Sequence, residues 1–250
     1  MSESVKVSIV TACYNSSRTI GTTIQSVNRQ TYGNIEHIFI DGGSIDNTLN
    51  VISAFANDNH AVYSEPDNGI YDALNKGIAR STGDIIGFLH ADDFYADDEV
   101  LESIAECFSN PRVQAVYGDL QYVSKTDTAK VIRNWKTKAF TAGRLKRGWM
   151  PPHPTFYVRK EWYAKINGFE TQYRISADYL TILQLFSDPE FNTVYLPRVL
   201  VKMRMGGASN RSLKNILQKS REDYLALKRS GVGGLETLLG KNIRKFIQVF

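Results

Sequence analysis

Four times in its first 110 residues the sequence passes from a short β-branched or apolar run to a longer helical pattern. Val5–Thr11 alternates and reads as a strand, and a helix from about Arg18 to Gln30 follows, with Ser16 and Ser17 as caps. Glu36–Asp41, Ala61–Ser64 and Ile85–Leu89 read as further strands. Helices are predicted over about Asp46–Phe55, Tyr71–Arg80 and, after Asp97 as cap, up to Phe108. Parallel neighbours need long crossovers, and strand–helix alternation supplies them. The expected class is therefore α/β, a mainly parallel central sheet flanked by helices.

The pattern changes after Asp119. Val113–Asp119 and Gln121–Trp135 are predicted as strands around a turn near Lys125-Thr126-Asp127, and Thr155–Arg159 as another strand. A helix over about Tyr179–Phe186 and strands near Val194 and Val199 complete a mixed second half. Two helices, about Leu213–Arg229 and Leu235–Ile247, are parted by Gly231-Val232-Gly233-Gly234. The expected organisation is a domain over 1–211, with a first half to 119 and a second half from 120, and a helical extension over 212–250.

The segment Ile85-Ile86-Gly87-Phe88-Leu89-His90-Ala91-Asp92-Asp93 concentrates the chemistry. An apolar run reads as a buried strand, and ligands of open α/β sheets sit beyond the carboxyl ends of their strands. Two carboxylates there form a hard anionic site suited to Mg²⁺ or Mn²⁺, ions held through one or two carboxylates and substrate phosphates. Asp97 is the better-placed helix cap, which leaves the pair surplus to capping. The same rim should collect Thr11 and Tyr14 after strand one, and Asp41 after strand two. A tyrosine ring can stack on a nucleobase, and a carboxylate can accept from a base N–H. Loop packing for Tyr14 and an Asx-turn for Asp41 are the plain alternatives, and Asp46 reads as a helix cap. A helix starting near Tyr71 presents amide ends to the rim, with Asp72 and Asn75 on one face. His153 is held among prolines in Pro151-Pro152-His153-Pro154, and Asp178 stands just before an apolar helix, where it reads as a cap.

Charge is uneven. From Leu196 onward there are twelve cations and three anions, a net of +9, which leaves −5 for the rest of a +4 chain. Solvated helix faces are one reading, and attraction to an anionic membrane surface or a phosphorylated acceptor is the other. No nucleic-acid-binding motif accompanies the charge, so a nucleic-acid partner is not expected. Two cysteines, Cys13 and Cys107, give no disulfide framework and read as packed thiols. The N-terminus has no signal-peptide pattern, and no apolar stretch nears the roughly 20 residues that span a bilayer. The expected location is the cytoplasm, with peripheral attachment to the inner face of the membrane through the basic C-terminus.

Taken together, Val7–Thr11 with Tyr14-Asn15, Ile40–Thr48, Asn68–Ile78 and Gly83–Asp93 resemble the family 2 glycosyltransferases of GT-A fold. His153-Pro154-Thr155-Phe156 and Ala177-Asp178-Tyr179 resemble that family's acceptor-side motifs, and Asp67–Asp72 resembles bacterial enzymes of polysaccharide assembly. The resemblance implies a nucleotide-diphosphate sugar donor, a divalent metal, inversion at the anomeric carbon and a glycan or lipid-linked acceptor. It implies that Thr11, Tyr14 and Asp41 hold the nucleoside, that Asp92 contacts the nucleoside or sugar, that Asp93 ligates Mn²⁺ or Mg²⁺, and that Asp178 is the general base. Asp72 and Asn75 go with the donor site and His153 with the acceptor side. Lys76, Arg80, Arg204 and Arg211 are the cations available to a diphosphate. Three positions depart from the pattern: Thr11 where proline is frequent, His90 where a carboxylate or asparagine is frequent, and Pro154 where glutamine is frequent. A sugar-nucleotide pyrophosphorylase is a rival reading, but Cys13-Tyr14-Asn15-Ser16 is not the Gly-rich phosphate loop it needs. A catalytically silent nucleotide-sugar-binding protein is the other rival.

Overall fold

The computed structural model describes residues 4–206 and 213–247. Its centre is a sheet in the order β3-β2-β1-β4-β8-β6-β9-β5, with β7 paired to β6 outside that path. The first four members are β1 (Val7–Cys13), β2 (Ile35–Asp41), β3 (His60–Ser64) and β4 (Ile85–Phe88). These four are parallel to one another, with Val7 in register with Ile35 on one side and Ile85 on the other. Helices α1 (Ile20–Asn28), α2 (Thr48–Ala54) and α3 (Ile70–Arg80) make the crossovers. After β3 the chain returns past β1 to lay β4 on its far side, so the strand order reverses between β1 and β4. Such a reversal opens a crevice beyond the strand ends.

The second half continues the same sheet. The two-residue β5 (Phe94–Tyr95) and helix α4 (Val100–Phe108) precede a long β6 (Ala115–Val123) and its hairpin partner β7 (Val131–Trp135). Helix α5 (Ala142–Lys146) leads to a single 3₁₀ turn at His153–Thr155, then β8 (Tyr157–Arg159) and α6 (Lys160–Lys165). β8 inserts antiparallel between β4 and β6. Helix α7 (Ala177–Ser187) and β9 (Thr193–Arg204) follow. The two strands expected near Val194 and Val199 are one strand, paired parallel to β6 with register breaks at Gly118–Leu120. Arg198 occupies the irregular stretch between them, its guanidinium turned to Asp97 at 2.7 Å. Asp97 thus answers an arginine, and α4 has no side-chain cap.

β4 is buried along its whole length. Gly87 permits it: a Cβ there would meet the Tyr157 ring at 2.1 Å. The tyrosine lies across the glycine, fully buried, and its hydroxyl bonds that of Tyr95 at 2.6 Å. Burying an aromatic of this size in place of a small side chain stabilises by roughly 1.5–3 kcal/mol.

Helices α8 (Leu213–Ser230) and α9 (Leu235–Ile247) were expected as an extension beyond the domain. They pack on it. Ala226 and Leu227 are fully buried in the same cluster as Val10, Phe88 and Tyr117. Several tail cations are paired, two of them turned inward and one at the surface. Lys219 and Lys241 both reach Asp223 Oδ2, at 2.8 and 2.9 Å, and Arg229 reaches Glu170 at 2.6 Å. Among the described residues no helix is long and apolar enough to cross a membrane.

Candidate active site

The crevice between β1 and β4 is closed at its base by Thr11. Its hydroxyl donates to the Leu89 carbonyl at 2.8 Å and lies 2.9 Å from His37 Nε2, so the side chain is spent on joining three strands. Burial holds His37 well below the usual imidazole range, with His60 adding to the effect, so the ring is neutral. Tyr14, the first residue beyond β1 on the sheet's rim, is 59 % exposed. Asn15 takes the left-handed conformation, φ 49°, which asparagine tolerates. Its side chain accepts from Ile45 N–H at 3.0 Å while its own amide donates to Ser44 Oγ at 2.8 Å. The loops after β1 and β2 are thereby stitched into one wall.

Asp41 is sealed inside that wall. Its carboxylate accepts from the Gly43 and Ser44 amides and from the Ser44 and Ser64 hydroxyls, at 2.5–3.2 Å. Burial alone would raise its pKa, but these donors outweigh it and hold the carboxyl below the ordinary range. The Asx-turn alternative thus describes the geometry of Asp41. Beside it, burial and the charge of Asp41 push the Cys13 thiol up, so Cys13 is an inert packed residue. Asp46 accepts from the Thr48 amide and hydroxyl at the start of α2, but the cap position is taken by Asn47, which makes no side-chain capping bond.

At the N-terminus of α3, Asp72 accepts from Asn68 N–H at 3.0 Å and pairs with Lys76 at 3.6 Å. Asn75 does not face the crevice with a free amide. Its Nδ2 donates to the Phe169 carbonyl and its Oδ1 accepts from the Phe169 amide, both at 2.8 Å. It braces the two halves of the domain. The unpredicted neighbour is Tyr71, 7 % exposed, whose hydroxyl reaches the Ile175 carbonyl at 2.6 Å and Asp178 Oδ1 at 3.1 Å.

Beyond β4 the two adjacent acids differ sharply. Asp93 is 1 % exposed and neither carboxylate oxygen has a hydrogen-bond partner. Burial, with the charge of Asp92, raises its pKa well above the carboxylate range despite nearby Arg204. Its backbone carbonyl is held by Thr23 Oγ1 at 2.7 Å. Asp92 keeps a partly exposed side chain. Its carbonyl accepts from the Arg204 guanidinium at 2.5 Å, and that guanidinium lies 5.0 Å from the Phe94 ring centroid. Of the four cations singled out for a diphosphate, Arg204 alone is brought to the acid pair among the described residues. Lys76 is engaged with Glu65 and Asp72, Arg80 lies over the Tyr63 ring, and Arg211 falls outside the described residues.

Asp178 begins α7 and is half-buried; its Oδ1 also accepts from the Tyr179 amide at 2.8 Å. It and Asp92 both act electrostatically on His90, whose pKa burial lowers against their attraction. His153 lies 6.1 Å from His90, ring centroid to centroid, and stacks on Phe88 at 5.5 Å. Burial depresses it to about 4 against the pull of Asp178, so it is neutral at neutral pH, and its Nε2 is buried without a partner. Two neutral imidazoles therefore stand among Asp92 and Asp178.

No group of three His, Cys, Asp or Glu side chains that could hold an ion by themselves occurs among the described residues. The donor set still fits a hard cation: one partly open carboxylate with a second, unpartnered one behind it matches an ion that completes its shell with phosphate and water. A separate cavity of about 80 Å³, lined by Asn28, His37, Asn59 and His60 toward the start of β2 and β3, has room for a few waters and not for a nucleotide.

The family model described as glycosyl transferase family 2 matches residues 8–170. An uncharacterized glycosyltransferase of Mycobacterium tuberculosis is 32 % identical over 187 residues, which is 74 % of this chain and 70 % of that protein. A PGL/p-HBAD biosynthesis glycosyltransferase of Mycobacterium bovis is 28 % identical, covering 81 % of this chain and 78 % of its own. Among solved structures, Staphylococcus aureus TarS 1–349 in complex with UDP-GlcNAc superposes with a TM-score of 0.72 at 16 % identity, over 91 % of this chain and 66 % of that one. The mannosyltransferase PcManGT from Pyrobaculum calidifontis, in complex with GDP-Man and Mn²⁺, gives 0.67 at 17 % identity, over 92 % and 65 %. Several structural neighbours are thus longer, and this chain spans less than two thirds of their length. The crevice at the strand reversal, the paired acids beyond β4 and the matched motifs agree: this chain belongs to glycosyl transferase family 2 and has the GT-A fold.

Proposed function

We propose that this protein moves one sugar from a nucleotide-diphosphate donor to a glycan or lipid-linked acceptor, with inversion at the anomeric carbon. The observation that carries the reading is the convergence of Asp92 and Asp178, 86 positions apart, on His90. Tyr14 gives the base a stacking face over the wall made by the Thr11 and Asp41 loops. Asp92, the partly exposed acid, would hold the Mn²⁺ or Mg²⁺ with the diphosphate, in place of Asp93, which lies behind it. When bound, the ion stabilises negative charge growing on the leaving diphosphate. Arg204 adds a fixed positive charge beside the same acids.

Asp178 takes the proton from the acceptor hydroxyl as its oxygen bonds to the anomeric carbon. The bond from that carbon to the diphosphate breaks, and its electron pair leaves with the nucleotide. Attack from the face opposite the leaving group inverts the centre. The half-buried His90 and the buried His153, both neutral, add no positive charge between the two acids. The relatives named for PGL/p-HBAD biosynthesis, and the 25 % identical chondroitin synthase of Pasteurella multocida, support an acceptor of glycan or lipid-linked type.

The test is a panel of nucleotide sugars, with Mn²⁺ or Mg²⁺ and without, read by release of free nucleotide in the presence of acceptor extracts. Metal-dependent release from one donor is expected, and Asp178→Asn should lower kcat by about 10² or more with donor affinity kept. A variant that retains a third of wild-type turnover removes Asp178 from the reaction.

For membrane attachment, α9 offers Leu235, Leu239 and Ile243, spaced by four residues and 58–64 % exposed, as an apolar stripe. Thr237, on the buried side of α9, donates to the Lys146 carbonyl at 2.7 Å, which brings exposed Lys146 and Arg147 to this helix. This pairing of stripe and cations supports a peripheral position on an anionic membrane.

A further inference from the structure

The turn that delivers Asp178 to the crevice is held from behind by a residue of the C-terminal helices. Glu222 on α8 is 8 % exposed. Its Oε1 accepts from the Arg174 amide at 3.1 Å, and its Oε2 from the amides of Ile175 and Ser176 at 2.8 and 3.0 Å. Three successive N–H groups aimed at one point form an anion-binding concavity, and the positive end of α7 begins at the same place. Here the anion is a side chain of the protein, 46 positions downstream of Ser176. Gln218, one turn earlier on α8, donates to Glu222 Oε1 at 3.0 Å and fixes its rotamer. On the opposite side, Tyr71 holds the Ile175 carbonyl at 2.6 Å. The three residues before α7 are therefore clamped between α8 and α3, and Asp178 follows two residues later.

We infer that Glu222 is a positioning residue for the transfer reaction: through the amides of 174–176 it sets where the Asp178 carboxylate stands. The inference rests on the reading of Asp178 as the base. Glu222 touches neither donor nor acceptor in this arrangement. A displacement on the order of 1 Å at a reacting group can cost about 10² in rate, so the clamp acts on kcat and leaves the nucleotide wall alone. Donor contacts lie at Tyr14 and Asp92, on loops that Glu222 does not meet.

The experiment compares Glu222→Ala, Glu222→Gln and Gln218→Ala with wild type and with Asp178→Asn in the full chain. It reads kcat, donor KM and the pH profile of kcat, with thermal unfolding as the check on folding. Expected are a loss of kcat of about tenfold or more for Glu222→Ala, donor KM within about twofold, and a displaced acidic limb of the pH profile. Glu222→Gln, which keeps one acceptor oxygen, should recover part of the rate. Should Glu222→Ala not fold, Glu222→Gln and Gln218→Ala supply the same reading at about threefold loss. Wild-type kcat in folded Glu222 variants, with Asp178→Asn inactive, overturns the inference and spares the reaction. A rate loss matched in donor KM, with an unchanged pH profile, also overturns it, since that is general loosening. Turnover by Asp178→Asn overturns the base assignment and the inference with it.

Discussion

The Tyr71 hydroxyl stands 3.1 Å from the Asp178 carboxylate, although the two residues are 107 positions apart. The contact joins the start of α3, which opens on the nucleotide side of the crevice, to the start of α7, which supplies the proposed base. Because the same hydroxyl lies 2.6 Å from the Ile175 carbonyl, its one proton is shared between a backbone acceptor and a carboxylate. Burial first, and then the charge of Asp178, raise the Tyr71 pKa well above the phenol range, so the hydroxyl remains a donor. The proposed base is thereby tethered within the domain.

Asp92 and Asp93 should separate in metal binding. Asp92→Asn is expected to weaken Mn²⁺-dependent binding of the cognate nucleotide sugar by tenfold or more. Asp93→Asn, which replaces a buried and unpartnered carboxyl by a neutral amide, should weaken it by less than threefold. Calorimetric titration with and without chelator measures both, and the reverse order would return the ligand role to Asp93. Removing the metal from wild type should reproduce the Asp92→Asn affinity.

Asp223 should matter more for folding than any surface acid. It is 2 % exposed and neutralises Lys219 and Lys241, and the Lys241 ammonium also sits 3.2 Å from the Tyr179 ring centroid. Burial pulls Lys241 down to about 7, against Asp223, with Lys219 adding to the fall. Asp223→Ala leaves two inward lysines without their anion and should lower stability by about 3 kcal/mol in urea unfolding. A change below 0.5 kcal/mol would mean that the C-terminal helices are merely laid on the domain.

Glu36 gives a pH-dependent stability. Burial acts to raise its pKa, but Ser8, the Thr82 hydroxyl and amide, and Lys6 together bring it down to about 2 from 4.5. A carboxyl depressed in the folded state stabilises above its unfolded pKa, and that contribution fades as pH falls through the folded one. Glu36→Gln should therefore lower Tm at pH 7 by roughly 3–6 °C, about 1–2 kcal/mol for a chain of this size. The gap should narrow between pH 4.5 and 2. Melting curves with a constant gap across that window contradict the assignment.

On the membrane side, Leu235, Leu239 and Ile243 replaced together by serine should reduce sedimentation with vesicles rich in anionic lipid by tenfold or more. Turnover on a soluble acceptor should change little, because the stripe faces away from Asp223 and Tyr179. Equal sedimentation of variant and wild type would show that the stripe does not meet lipid.

Much of this protein was legible in the chain order of its residues. Strand–helix alternation recurs at short range, so β1 to β4 and their crossovers follow from local pattern, and the acids after Leu89 fall on the rim because they end a buried strand. The bond from the start of α2 to Asp46 was readable for the same reason: it reaches only two positions. What sequence could not separate were roles that depend on which neighbour arrives from afar. Asp92 and Asp93 are adjacent and chemically identical, yet the approach of β9 and Arg204 leaves one partly open and buries the other. Asn75 reads as a donor-site amide until Phe169, 94 positions on, bonds both its nitrogen and its oxygen. The +9 of the last 55 residues suggested a solvated or membrane-seeking tail. Part of that charge is spent on the buried Asp223, and Arg229 pairs with Glu170 at the surface, because long lysine and arginine stems can carry cations to acids some distance away. Local periodicity, caps and strand ends are encoded within a few residues. The tethering of Asp178 by Tyr71 and Glu222, and the choice of the open acid, exist only once distant segments are packed together.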